Sequence, residues 1–177
     1  SAKVGATALS VSVSVIASAQ TGALQFAGSS SGLNGAASIS IAGNEGTVQL
    51  SFASSTKSSA IVASVNQFKD STGIQATLSS DNKSVTFTST GYGASQFVSV
   101  TSNNSTALAT TDTSGVTNTT DYGRNATVSV NGTAVQSDGL NIKVVTANCE
   151  ADLTIHGTVN EGGSAKKDGD KIMVMDE

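Results

Sequence analysis

The chain has 177 residues, a formal net charge of −4 and 12% charged residues, where ordinary soluble domains carry about 25%. With no Lys/Arg run longer than Lys166-Lys167, that balance argues against a nucleic-acid interface, which needs a basic face to neutralise phosphates. Hydrophobic residues make up 37% and aromatics 4%, so burial must come from Val, Ile, Leu and Ala in thin layers rather than from large rings in a deep enzyme interior.

No apolar stretch approaches the roughly 20 residues of a membrane span. The longest, Val11 to Ala19, is interrupted by serine and reads as a strand. Ser1 opens no signal peptide, so either the chain is trimmed or export uses another route. Cys149 is the single cysteine and proline is absent. No intrachain disulfide can form, and no slow X-Pro isomerisation is needed, which suits a chain exported unfolded and refolded outside.

In chain order, Leu9, Val11, Val13 and Val15 alternate with Ser or Ala, the period of a strand with one buried face. Leu24 and Phe26 repeat the pattern, then Ala37, Ile39 and Ile41, then Val48, Leu50 and Phe52. Glycine-rich turns fall at Gly28 to Gly35 and Gly43 to Gly46. The period then becomes helical: Ile61, Val65 and Phe68 lie at i, i+4 and i+7, Thr56 is placed as the N-cap, and Gly73 follows the polar ending. One amphipathic helix over 57–70, anchored by those three side chains, is predicted. Ile74, Ala76 and Leu78 form a strand, Ser80 to Lys83 turns the chain, and Val85 and Phe87 return as its hairpin partner. Another strand runs through Phe97, Val98 and Val100. Residues 101–120, nearly all Ser, Thr, Asn, Ala and Asp, read as a long surface loop or linker. Val128 and Val130 lead into Asn131-Gly132, a strong hairpin signal, with Ala134-Val135 beyond. After the Asp138-Gly139 turn come Leu140, Ile142 and Val144, then Leu153 and Ile155. The Gly- and Lys-rich 161–170 stretch is expected to be mobile, with Ile172 to Met175 as a closing strand. The fold class expected is mainly β (α+β): small antiparallel sheets with one amphipathic helix packed on a sheet.

The segment from Ala37 to Val100 resembles the flagellin "IN" module of flagellins and filament-cap proteins. The likeness lies in its order: a strand Ile39-x-Ile41-x-Gly43, a second strand ending Leu50-Ser51-Phe52, a helix reading Ala60-Ile61-Val62-Ala63-Ser64-Val65-Asn66, then Thr72-Gly73-Ile74-x-Ala76-Thr77-Leu78. A second block, Asp121-Tyr122-Gly123 through Asn131-Gly132 with Gly139-Leu140 and Leu153-x-Ile155 downstream, is similar to the region that follows the module in flagellin central regions. The resemblance implies a helix rolled over a small sheet. It also implies a division into an IN-type module with N-terminal strands at 1–101, a linker at 102–120 and a second β segment at 121–177.

Nothing resembles the long heptad-patterned helices of flagellin ends. The resemblance therefore implies the outward-facing, surface-exposed central region of a bacterial flagellin: a secreted, extracellular, structural component of the flagellar filament that does not itself drive polymerisation. The alternatives are the central domain of a filament-cap protein, or a β-rich adhesin or stalk module. On the leading reading, neighbouring flagellin subunits are met through other parts of the parent chain. Host or phage surfaces and O-glycans on Ser and Thr, above all in 101–120, are the remaining partners, and the isolated chain is expected to be a monomer.

Catalytic chemistry has little to work with. His156 is the single histidine and Cys149 precedes it by seven residues, but neither sits in a nucleophile-type turn. Asp168-Gly169-Asp170 lacks the further oxygen donors of a calcium loop, and no glycine-rich loop leads into Lys and a helix. No catalytic, cofactor or metal residue is assigned, and no cofactor is implied. Asn82, Asn103, Asn104, Asn118, Asn125 and Asn131 match N-x-Ser/Thr, a pattern that chance produces freely in so hydroxyl-rich a chain. Tyr92 and Tyr122, each beside glycine, either cap the edges of small cores or serve as binding aromatics.

Overall fold

Period-2 alternation becomes strand along most of its length. The computed structural model describes residues 9–146, 149–154 and 171–174. The 161–170 stretch, Ile155 and His156 lie outside those residues. In chain order the strands are β1 (Leu9–Ala17), β2 (Ala23–Phe26), β3 (Ala37–Ala42), β4 (Thr47–Phe52), β5 (Ile74–Leu78), β6 (Val85–Ser89), β7 (Phe97–Ser102), β8 (Thr110–Thr111), β9 (Thr120–Tyr122), β10 (Thr127–Val130), β11 (Thr133–Gln136), β12 (Asn141–Thr146), β13 (Cys149–Thr154) and β14 (Lys171–Val174). Between β4 and β5 lie two helices, α1 (Ser58–Asn66) and α2 (Lys69–Thr72). The fold is mainly β, as the alternation predicts.

The chain forms two compact units, one from residues 20–124 and one from residues 1–19 with 125–177. In the 20–124 unit the sheets run β5-β6-β2-β8 and β4-β3-β7-β9, with every pair antiparallel. Their apolar faces share one core, in which Leu24 and Phe87 from one sheet and Ile39, Ile41, Val98 and Val100 from the other are almost fully buried. Ile61 and Val65 of α1 enter the same core, and α1 lies mainly against β5.

The single helix expected over 57–70 is two helices. After Asn66 the chain tightens: Phe68 N–H donates to Val65 O at 3.0 Å, and Phe68 adopts φ −108°, ψ 16° between the helices. Phe68 is consequently half-buried and stands outside the core cluster, so the helix is anchored by Ile61 and Val65, with Val62 partly buried against the same core. Thr56 is not the N-cap. Lys57 holds that position without a side-chain cap, while Thr56 Oγ1 donates back to Ala53 O at 2.8 Å. Gly73 ends α2 as expected: its φ of 71° is the left-handed conformation that glycine adopts without strain, and its N–H closes onto Lys69 O.

The 102–120 stretch, expected as a linker, lies within the 20–124 unit. Ala107, Leu108 and Thr110 are buried, and β8 pairs with β2 through Phe26↔Thr110 and Gln25↔Thr111. Asn104 makes this possible. Its Oδ1 accepts from Ala107 N–H at 3.2 Å while its Nδ2 donates to Ala36 O at 3.0 Å. A hydroxyl- and amide-rich sequence can satisfy strand edges and turns from its own side chains, so low apolar content here does not mean an unstructured segment.

In the other unit the described strands form the sheet β11-β10-β1-β14 and the hairpin β12-β13. Asn131 and Gly132, at φ 50° and 85°, make the β10–β11 turn, the left-handed pair that a two-residue hairpin requires. Val128, Val130 and Ile142 are buried, together with Ser137, whose hydroxyl bonds to Ala126 O at 3.0 Å. β14 closes the sheet beside β1, with Val11↔Ile172 and Leu9↔Val174 in register. Long-range pairing of the N-terminal strand with residues far along the chain makes this unit discontinuous, and local periodicity carries no trace of it.

Candidate interaction surface

The described residues hold no group of three or more His, Cys, Asp and Glu side chains placed to share a metal. Cys149 begins β13 opposite Thr146, while His156, Asp168 and Asp170 lie outside the described residues. What the 20–124 unit does present is a sheet face and its edges.

The face follows from register and pleat. Side chains alternate across a strand, so with Ile39 and Ile41 inward, Ser38 and Ser40 point away from the core. Their partners on β4 are Ser51 and Gln49, and Ser40 faces Thr101 on β7. The hydroxyls bridge neighbouring strands, with Ser38 Oγ and Ser51 Oγ 2.8 Å apart and Thr120 Oγ1 donating to Ser99 Oγ at 3.0 Å. The face carries no charge in these strands. One end carries a tilted aromatic pair, Phe97 and Tyr122, with ring centroids 6.1 Å apart at 41°. Tyr122 is 62% exposed, whereas Tyr92 is half-buried.

The backbone edges differ sharply. Gly43 N–H donates to Gly46 O across the β3–β4 turn, and Ser38 turns both its backbone groups toward the Asn103 side. In an antiparallel ladder, hydrogen-bonded and non-hydrogen-bonded pairs alternate. It follows that Ile39↔Leu50 and Ile41↔Val48 exchange the β3–β4 bonds, and that Thr47, Gln49 and Ser51 aim their N–H and C=O groups away from the sheet. On β5 the corresponding outward residue is Ala76, and its edge is filled. Asn66, the last residue of α1, accepts from Ala76 N–H at 2.8 Å and donates to Ala76 O at 2.9 Å. The side-chain amide thus stands in for a neighbouring strand. Ile74 N–H is met by Thr72 Oγ1 at 3.2 Å.

The asparagines in N-x-Ser/Thr matches serve the backbone. Asn103, Asn118 and Asn125 accept from Ser38, Thr120 and Gly139 N–H groups, and Asn82 and Asn131 take left-handed turn conformations. Sequence reasoning finds the pattern but not these roles, which depend on partners up to 65 residues away. The β5–β6 turn shows one electrostatic perturbation: hydrogen bonds from Ser79 and then from Lys83 N–H hold the Asp81 carboxyl below its usual range.

A mainly β unit with a two-part helix between its third and fourth strands, β4 and β5, is the class that this geometry defines. Residues 38–91 match the model of the flagellin hook IN motif, so this segment of the chain is similar to that motif. Among solved structures, the fold is similar to the D2-D3 domains of the flagellar cap protein FliD from Serratia marcescens (TM-score 0.53, 16% identity, covering 98% of this chain and 97% of that one). It is also similar to the corresponding domains from Escherichia coli (0.57, 17%, 89% and 86%) and to FliD (HAP2) from Pseudomonas aeruginosa PAO1 (0.53, 16%, 89% and 84%). No curated protein matches the chain by sequence. No helix among the described residues is long and apolar enough to cross a membrane.

Proposed function

We propose that the chain is the central, outward-facing region of a flagellar filament-cap protein, and that its role is structural rather than enzymatic. The observation that carries this reading is likeness along nearly the whole length: the cap-protein domains align over both compact units, whereas the IN motif alone covers 38–91 and fits flagellin and cap equally. The leading expectation from sequence, a flagellin outer domain, has the same motif in its favour but no comparable support over the rest of the chain. Partners on this reading are other flagellar subunits, met by the parent protein outside the cell. The exposed tip at 112–119, with Thr113, Ser114 and Thr117 on its surface, is where O-glycans or host and phage contacts would fall.

Removing residues 1–177 from the parent gene separates the two parents. For a cap protein, flagella that still form should keep their full filament diameter, because the deleted mass is not repeated along the shaft. Filaments that become uniformly thinner by electron microscopy would show a flagellin outer domain instead.

A further inference from the structure

We propose that Asn34 is a site of spontaneous deamidation, and that its conversion to aspartate or isoaspartate releases the 104–108 segment from the 34–36 segment. Asparagine followed by glycine is the pair most open to this chemistry, because glycine has no Cβ to shield the attacking backbone nitrogen. The chain has two such pairs, Asn34-Gly35 and Asn131-Gly132, and the backbone separates them. Asn131 stands at φ 50° in the β10–β11 turn. With the ψ of about 30° that such a turn imposes, the Gly132 nitrogen lies nearly anti to the Asn131 Cβ, and ring closure requires the turn to open. Asn34 lies in the connection between β2 and β3 and is exposed. Among the described residues no hydrogen bond engages the Gly35 N–H. A third pair, Asn104-Ser105, is held still by its own amide, which accepts from Ala107 N–H and donates to Ala36 O.

The step balances with water alone. The Gly35 nitrogen bonds to Asn34 Cγ as the Cγ–Nδ2 bond breaks, its proton leaves with the departing ammonia, and a cyclic succinimide results. Water then opens the ring at Cγ to give aspartate, or at the main-chain carbonyl to give isoaspartate, whose backbone runs through the side chain and is longer by one carbon. Either product undoes a tie between distant parts of the chain. Asn34 Nδ2 donates to Thr106 O at 3.2 Å, and a carboxylate has no donor to replace it. Isoaspartate does more. Leu33 and Ala37, on either side, are both buried, so the extra carbon falls between two anchored side chains and shifts Ala36, the acceptor of the Asn104 amide. Conversion thus acts as a clock set by the age of the chain, loosening the stretch that carries Ala107 and Leu108.

The test uses the intact chain, held in mildly alkaline buffer at body temperature and sampled over weeks. Peptide mapping by mass spectrometry should show the amide-to-acid mass gain at Asn34 appearing with first-order kinetics, faster as pH rises and several-fold ahead of Asn131. Isoaspartyl methyltransferase should label the same peptide. Gly35→Ala should slow the conversion several-fold; its Cβ meets Asn104 Nδ2 at 3.2 Å and Ala107 Cβ at 3.7 Å, side-chain contacts that small shifts relieve. Freshly prepared Asn34→Asp should exchange its Ala107 and Leu108 amides several-fold faster than the parent, with the Ile41 amide unchanged. Asn131 converting as fast as Asn34 would overturn the proposal, as would an Asn34 left unchanged over a period in which a free peptide of residues 31–38 converts fully. Unaltered Ala107 and Leu108 exchange in Asn34→Asp would overturn the release.

Discussion

Phe87→Ala should lower the free energy of unfolding by about 3–5 kcal/mol, the range for deleting a fully buried ring. The ring is 0% exposed and sits on β6 between Leu24 of β2 and Ala76 of β5 in the strand register. It is the largest of the fully buried side chains in a chain with few aromatics. Close packing leaves no neighbour able to fill the void without strain. Phe68→Ala is the control: that ring, expected from helical spacing to be a core anchor, is half-buried beyond the end of α1 and should cost about 1–2 kcal/mol. Urea midpoints at a common m-value compare the two. Equal losses would contradict the core described.

Asn66→Ala should cost about 2 kcal/mol, more than an ordinary substitution at a helix end, because it strips two partners at once from Ala76, a residue 3% exposed. A buried amide and carbonyl left unpaired carry the full cost of desolvation, while the helix itself loses nothing by gaining alanine. Two measurements check it: the fall in stability, and faster exchange of the Ala76 amide relative to the central β6 amides. A neutral outcome would mean that water replaces the side-chain amide and that the β5 edge needs no guard.

Strands were legible where burial is one-sided, because alternation at period 2 is the signature of a half-buried pleat: β3, β4, β5 and β6 lie where Ile39 to Phe52 and Ile74 to Phe87 place them. Asn131-Gly132 and Gly73 announced their turns through the left-handed backbone that they tolerate. The helical period of Ile61 and Val65 was real, but Phe68 extended it falsely, since spacing cannot reveal that the chain tightens after Asn66. Nor did composition show that 102–120 packs. Ala107 and Leu108 are a small apolar signal, and the hydrogen bonds of Asn104 that fix them run to Ala36, far back in the chain. The candidate surface was the least legible part. Which backbone groups an edge strand turns outward depends on strand order and on which residues exchange bonds, so the contrast between β4 and β5 emerges only from the fold, even though Asn66 stands in the segment whose likeness to the IN module was plain.

If the chain is the cap region proposed above, it has one expected place. Gold-labelled antibody raised against the 177-residue chain should mark the distal tip of each flagellum and leave the shaft bare in electron micrographs. Label repeated along the whole filament would contradict the account and restore the flagellin reading.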